Sequence, residues 1–523
     1  MPQRLGDIVT FRGDRLFHGA VNVDWFGTDA ARTELASKAF VFHGPRYHGV
    51  QQEDVGTSHG HRLIDTASLA RAVVRQAYGV ESQPFTLSIA GYGTGKSHLA
   101  LTLASLLDEP SGASAACVLS SIRAADETIG SEVQAILQEA KQKPCLVVAL
   151  NGMQSFDLTA EVTRQVVRRV LDRGLDSKPF EDLRPRFGQA ASLIRMSNAE
   201  VVGELSAFCG LDRVEDVLVA LEQQDEHLYG KVHDFFASRG MTIRALAGES
   251  VRDVLDVAVR EYCGEGKPFR SLLVLFDEFG RYTEFATVRS HIAGSGALQD
   301  LFEVIQSHEG VASFVGFIQF ELNAYVQRIA PEYRNEILRY VTRYQAAKRV
   351  YLSINLETLL ASLLEKRQPK ELEVRFDSGE ARRDTVAIMQ RLRRWFPQSA
   401  NHRLWTDAEE FHEVIRRGCW PLSALSTWFL FYLASAGKHL QERSALALLG
   451  DAIARHEQRT VPADLDWALA PVDLWSDALP QELLSSEEGG QQGSVAHAFA
   501  SVDARHGARL TVDQHRIVSE VIA

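Results

Sequence analysis

The chain has 523 residues, 45% hydrophobic and 24% charged, enough to bury sizeable cores in about three or four domains. A formal net charge of −12 excludes a protein that coats nucleic acid by bulk electrostatics, so any DNA contact has to come from a local basic surface. The cysteines, Cys117, Cys145, Cys209, Cys263 and Cys419, are far apart and form no CxxC pair, which argues against a zinc ribbon and for reduced, buried thiols in a cytosol.

The chain opens on "MPQRLGDIVTFRGDRLF", with charges where a signal peptide carries an apolar run, so no export is expected. Residues 1–75 mix short strand-like pieces and turns ("FRGDRLFHG", "VFHGPRYHGV") before the helical stretch "LIDTASLARAVVRQAYG". His43, His48, His59 and His61 show no helical or hairpin ligand spacing with a Cys or acidic partner and read as surface histidines.

Residues 76–154 hold the most informative stretch, "FTLSIAGYGTGKSHLALTLASLL". "PFTLSIA" alternates and is rich in strand formers, and Leu99, Leu103, Leu106 and Leu107 then share a helical face. The glycines therefore sit at a strand-to-helix junction, the setting a P-loop requires. Ala90, four residues, then Gly95, Lys96 and Ser97 match the Walker A spacing, with alanine at the first position. In that reading the backbone from Ala90 through Gly91, Tyr92, Gly93, Thr94 and Gly95 to Lys96, Ser97 and His98 cradles the phosphates of ATP. The start of the helix adds its partial positive charge. Lys96 reaches the β- and γ-phosphates and the Ser97 hydroxyl ligates Mg²⁺. "KPCLVVALNG", Lys143–Gly152, is a further strand of the same sheet.

Residues 155–265 are far more than a crossover needs and carry helical patterns ("LTAEVTRQVVRRVL", "NAEVVGELSAFCG", "VEDVLVALEQQ", "VRDVLDVAVREYCG"), so a helical insertion is expected. The second half of the core spans residues 266–355. Ser271 to Phe276 is a continuous apolar run, as in a parallel strand covered on both faces, and it ends in Asp277-Glu278. Asp277 is expected to hold the Mg²⁺ through its water shell, and Glu278 to polarise the attacking water. "VASFVGFIQFEL" supplies the strand that additional-strand ATPases place between the two Walker strands, with Gln319 in the position of the γ-phosphate sensor.

Beyond it, Arg328, Arg334, Arg339, Arg343, Lys348 and Arg349 face only Glu332 and Glu336. This basic strip, 328–349, reads as a solvated helix face, a surface for DNA or a partner, or the source of an arginine finger. Residues 356–475 are helical in pattern, as in the lid that closes over nucleotide. Within them "CWPLSALSTWFLFYLASAG", Cys419–Gly437, is uncharged and approaches the roughly 20 residues of a membrane span, but its Pro, Ser and Thr content favours a buried helix. Residues 476–523 form a tail that could begin a further, winged-helix-like domain.

Taken together, "GYGTGKSHLA", "VLFDEFGRYTEF", "TRYQ" and "WPLSALSTWFLFYLASAGKHLQERSALALL" resemble the large AAA+/ORC-like P-loop ATPases of bacterial anti-phage islands, nearest to the bacteriophage-exclusion (BREX) ATPases of the BrxC and PglY kind. The resemblance spans about residues 85–450, the insertion excepted. It implies an α/β fold of the AAA+ additional-strand type with a parallel sheet and a C-terminal helical lid. It also implies a cytoplasmic, Mg-dependent ATPase that forms a homo-oligomer with ATP and works with other defence proteins, without a membrane. The family's Walker B reads like "DEFGKFLE", where this chain has Gly280-Arg281 in place of glycine-lysine. Thr342-Arg343-Tyr344 stands where glycine-arginine-aromatic is expected, and Ser423 and Ala424 weaken the match to the lid signature "PLHP". Leu440-Gln441-Glu442-Arg443 keeps three of four residues of the "QNER" element. These positions make Arg343 the expected finger and Arg443 a second sensor. Members of the family often run well beyond this length, and the chain ends on an apolar-periodic helix with no capping residue after it, so a piece of a longer protein is expected. A nucleotide-dependent switch of STAND/ORC type with slow turnover is the alternative function, and a scaffold with a degenerate site the third.

Overall fold

The computed structural model describes residues 3–13, 17, 20–45, 63–91, 94–240, 250–294, 296–352, 356–401, 403–436, 442–462, 467–476, 478–488 and 495–522. His48, His59, His61, Tyr92, Gly93, Leu440 and Gln441 lie outside them. Among the described residues a six-stranded parallel sheet forms the centre, built from β1 (Leu63–Ile64), β2 (Phe85–Ile89), β3 (Leu146–Asn151), β4 (Leu272–Asp277), β5 (Ala312–Ile318) and β6 (Lys348–Leu352). The order across it is β1-β6-β2-β5-β4-β3, every neighbouring pair parallel. The strand expected between those ending in the glycine turn and in Asp277 does lie there.

Alternation along each strand divides the core into two layers. Phe85, Leu87 and Ile89 of β2, Leu146, Val148 and Leu150 of β3, and Leu272, Val274 and Phe276 of β4 face one helical layer. Val147, Ala149, Leu273, Leu275, Val315 and Phe317 face the other. Parallel strands buried on both faces read as unbroken apolar runs for this reason. The first layer includes helices Leu158–Asp172, Val251–Tyr262, Phe279–Val288, Ala297–Ser307 and Arg334–Tyr344; the second includes Ala30–Ala39, Thr66–Ala77, Lys96–Asp108, Ala113–Ala125 and Glu127–Glu139. At the sheet edge, Gln165 stands in for a missing strand: its amide accepts from Ala149 N–H at 2.8 Å and donates to the Ala149 carbonyl at 2.7 Å. That satisfies polar groups an edge strand would otherwise leave bare.

Two divisions differ from the expected ones. The insertion does not span all of 155–265, because helices Leu158–Asp172 and Val251–Tyr262 bury their apolar faces on the sheet. The helices between Pro185 and Ala237 close over a core of their own around Phe187, Leu205, Val217, Val232 and Phe236. At the other end, residues 3–11 do not belong with 20–75. Gln3–Arg4 pairs with Thr460–Val461 and Val9–Phe11 with Leu364–Lys366, both antiparallel, and Leu5, Ile8 and Val9 are buried in the C-terminal helical core. Each strand finds its partner more than 350 residues away, a pairing that leaves no local signature.

That helical core contains Leu356–Leu363, Gly379–Trp395, Phe411–Gly418, Ala424–Phe431 and Glu442–His456. The described part of the uncharged stretch packs into it, with Trp428, Leu430 and Phe431 at most 4% exposed. No described helix is long and apolar enough to cross a membrane. The described tail consists of helices Ala478–Glu488, Val495–His506 and Val512–Ile522 and one short helical turn, with no strand among these residues. Cys145, Cys209, Cys263 and Cys419 are buried and Cys117 exposed, all as free thiols.

Candidate functional site

Parallel strands present their carboxyl ends together, and in open sheets this rim is where ligands bind. Here Ile89 is in register with Ile318, and Asn151 with Asp277, so β2, β5, β4 and β3 end side by side. After β2 the chain turns through Ala90 and Gly91 to Thr94 and Gly95. Gly95 has φ +76, a left-handed conformation that glycine adopts without cost, and it caps helix Lys96–Asp108. The Thr94 hydroxyl donates to the Gly91 carbonyl at 3.0 Å. Lys96 Nζ donates to the carbonyls of Ala90 at 2.9 Å and Gly91 at 2.8 Å. Burial lowers the lysine's pKa, against the raising influence of Glu278 and Asp277. One ammonium is thus held over the turn, facing two carboxylates.

Those carboxylates close β4. Asp277 is 4% exposed, and burial raises its pKa to about 6, with the neighbouring Ser97 hydroxyl opposing the rise. Glu278, 9% exposed, has φ +50 and opens helix Phe279–Val288. A left-handed glutamate is uncommon, and it turns the side chain away from the strand direction toward β5. There Gln319 Nε2 donates to Glu278 Oε1 at 3.0 Å. Asp277 Oδ1 and Glu278 Oε2 are buried acceptors with no hydrogen-bond partner among the described residues. Two buried carboxylate oxygens left over beside a serine hydroxyl and a lysine suit a hard, oxygen-preferring cation and a hydrogen-bonding water.

Ala90, Gly91, Thr94, Gly95, Lys96, Ser97, Asp277, Glu278 and Gln319 therefore converge on one rim. His98 behaves differently: its Nε2 meets the Ala36 carbonyl at 2.7 Å, its ring packs edge-on to Phe40, and burial lowers its pKa to about 4. Its side chain ties the glycine-turn helix to helix Ala30–Ala39. Arg343 lies on helix Arg334–Tyr344, its Nη1 donating to the Arg339 carbonyl of the same helix, while the neighbouring Tyr344 is buried against Phe85, Phe279 and Phe314. Among the described residues no hydrogen bond or ion pair joins the Arg343 side chain to the rim. Arg443 belongs to helix Glu442–His456, and its side chain lies outside the described residues. The basic strip is spread over two helices and a strand. Lys348 and Arg349 are in β6, paired with Glu81 and Glu321, Arg328 stacks 3.8 Å over Phe320 from helix Leu322–Arg328, and Arg334 and Arg339 are exposed on helix Arg334–Tyr344.

Several rim residues escaped the sequence reading. Asn151 donates to Asn22 Oδ1 at 3.1 Å and to Asp24 Oδ2 at 2.7 Å, fastening the turn Val23–Trp25 to the end of β3. Gly152 approaches the peptide of Glu278 so closely that a Cβ there would lie 2.3 Å from the Glu278 carbonyl oxygen. Tyr325 packs on Gly280 in the same fashion. Glycines beside an Asp-Glu pair hint at close approach, but not at what approaches. A cleft of about 270 Å³ opens between Phe42–Gly44, Ser121 and the helical domain's Thr358, Ser362 and Glu413; none of the rim side chains lines it. No protein-family model and no curated protein matches this chain.

Proposed function

We propose that the chain is a Mg-dependent ATPase whose site is the rim of β2, β4 and β5. One observation carries the reading: an ammonium, a Ser–Asp pair and a Glu–Gln pair, drawn from three separated segments, meet at one glycine turn at the start of a helix. Ser97 and Asp277 hold the Mg²⁺, which when bound supplies positive charge to the phosphate oxygens. Lys96 exchanges its carbonyl partners for the β- and γ-phosphates, a stronger charge-assisted contact. The main-chain N–H groups at the start of helix Lys96–Asp108 face the same phosphates. Glu278 orients a water through its free Oε2 and takes its proton as the oxygen bonds to the γ-phosphorus and the bond to the ADP oxygen breaks. Gln319 holds the other carboxylate oxygen and senses the γ-phosphate.

The wider assignment rests on the resemblance: the ATPase of a BREX-like anti-phage assembly, coupling hydrolysis to conformational change in a homo-oligomer and acting with defence partners or on DNA. The Gln319 bond to Glu278 also supports the switch alternative, because a base held by an amide turns over slowly until something displaces that amide. Steady-state turnover with and without DNA separates the two, fast DNA-stimulated hydrolysis supporting a motor and slow turnover with retained nucleotide a switch. The site itself is tested with two variants. Lys96→Ala is expected to abolish ATP binding, and Glu278→Gln to bind ATP while nearly stopping hydrolysis. Unchanged affinity in the first, measured by titration, refutes the phosphate cradle; near-normal turnover in the second refutes the assignment of the base.

A further inference from the structure

We propose that Tyr325 is a positioning residue of this site, one side chain that sets the Gln319 amide against the Glu278 carboxylate. The inference rests on the ATPase reading above and adds a residue to it. Tyr325 comes from the short helix Leu322–Arg328 that follows β5, and it is 2% exposed. Its hydroxyl accepts the main-chain N–H of Gln319 at 3.3 Å. Gln319 has just left the sheet, so no ladder bond holds its N–H, and a buried donor without an acceptor is costly. The Tyr325 hydroxyl thus fixes the backbone of the residue whose side chain grips Glu278.

The same ring fixes the other half of the pair. Glu278 caps helix Phe279–Val288, whose second residue, Gly280, lies against the phenol: a Cβ on Gly280 would stand 2.1 Å from Cζ, 2.3 Å from Cε2 and 2.5 Å from the hydroxyl of Tyr325. No side chain fits in that space, so glycine at 280 is the condition for the tyrosine to sit there. Phe279 and Tyr282, on either side, are fully buried and hold the helix from its other face. Tyr325 therefore packs its ring on Gly280, two residues beyond Glu278, and meets the peptide N–H of Gln319 with its hydroxyl. Burial raises its pKa, so the group that meets the Gln319 N–H is the neutral phenol, whose oxygen accepts.

The test is Tyr325→Phe in the full chain, which keeps the ring on Gly280 and removes only the acceptor for Gln319. It is expected to lower kcat about tenfold while KM and the affinity for ATP stay within about twofold, because the phosphate-holding groups are untouched. In a Glu278→Gln background the same change is expected to have no further effect on residual turnover, since no base remains to be aligned. Gly280→Ala drives a methyl into the ring and its hydroxyl and is expected to give the same kcat-selective loss; it carries the test if Tyr325→Phe does not fold. An unchanged kcat in both variants overturns the proposal while leaving the ATPase reading intact. So does a loss that falls equally on KM and affinity, or one that persists undiminished in the Glu278→Gln background, for that is how a merely structural tyrosine behaves. A wild-type chain that does not hydrolyse ATP overturns both readings together.

Discussion

Replacing Gly152 by alanine adds one methyl group at the point where β3 and β4 release their chains. That methyl would lie 2.3 Å from the Glu278 carbonyl oxygen, 2.9 Å from its carbonyl carbon and 3.0 Å from the Asp277 carbonyl oxygen. All three are main-chain atoms, so no side chain can rotate away. Ordinary contact begins near 3.4 Å, and the end of β3 must therefore separate from the Asp277–Glu278 peptide by about 1 Å. The separation strains the 2.8 Å bond from Gly152 N–H to the Asp277 carbonyl. A lost hydrogen bond contributes about 1 kcal/mol and overpacking about 1–3 kcal/mol, so Gly152→Ala is expected to destabilise the fold by about 2–4 kcal/mol. A displacement of about 1 Å at the proposed base is also expected to lower turnover by about 10- to 100-fold with ATP affinity retained, because the glycine turn and Lys96 follow β2, which β5 separates from β4. Urea unfolding and steady-state hydrolysis read the two effects. Stability within about 0.5 kcal/mol of wild type together with unchanged kcat would refute the close approach and the alignment built on it.

Arg343→Ala is expected to leave ATP binding intact and lower turnover by about 10³-fold if the arginine serves a neighbouring subunit's site, its described hydrogen bond being to the Arg339 carbonyl of its own helix. Mixing that protein with Lys96→Ala protein should restore activity; no restoration in a preparation shown to contain mixed oligomers rules out action in trans. Lys366 donates to the Trp420 carbonyl beneath the helical core, and burial lowers its pKa to about 7. Between about pH 7 and the ordinary lysine value the unfolded chain holds a proton that the folded chain has released, so stability is expected to rise with pH across that window. Lys366→Met should flatten this rise, as read from urea midpoints at pH 7 and pH 9; an identical slope in the variant excludes the lysine as its source.

What the amino-acid order determined by itself is everything whose signal is local. Strand β2, its glycine turn and helix Lys96–Asp108 are contiguous, and β4 announces itself as an apolar run ending in two acids, because a parallel strand covered on both faces has no polar side to show. Gln319 was legible for the same reason, as the first polar side chain after a buried run. Tertiary structure alone decided which strands are neighbours, since a period of two reports burial and says nothing about partners. It also decided that Gln3–Arg4 and Val9–Phe11 complete the C-terminal helical domain, that the helices flanking the insertion cover the sheet, and that His98 turns to Ala36. Gly152 on Glu278 and Gly280 on Tyr325 belong to this second group. A glycine needed for close approach is indistinguishable in sequence from one needed for a turn, and only the backbone or ring that fills its missing Cβ tells them apart.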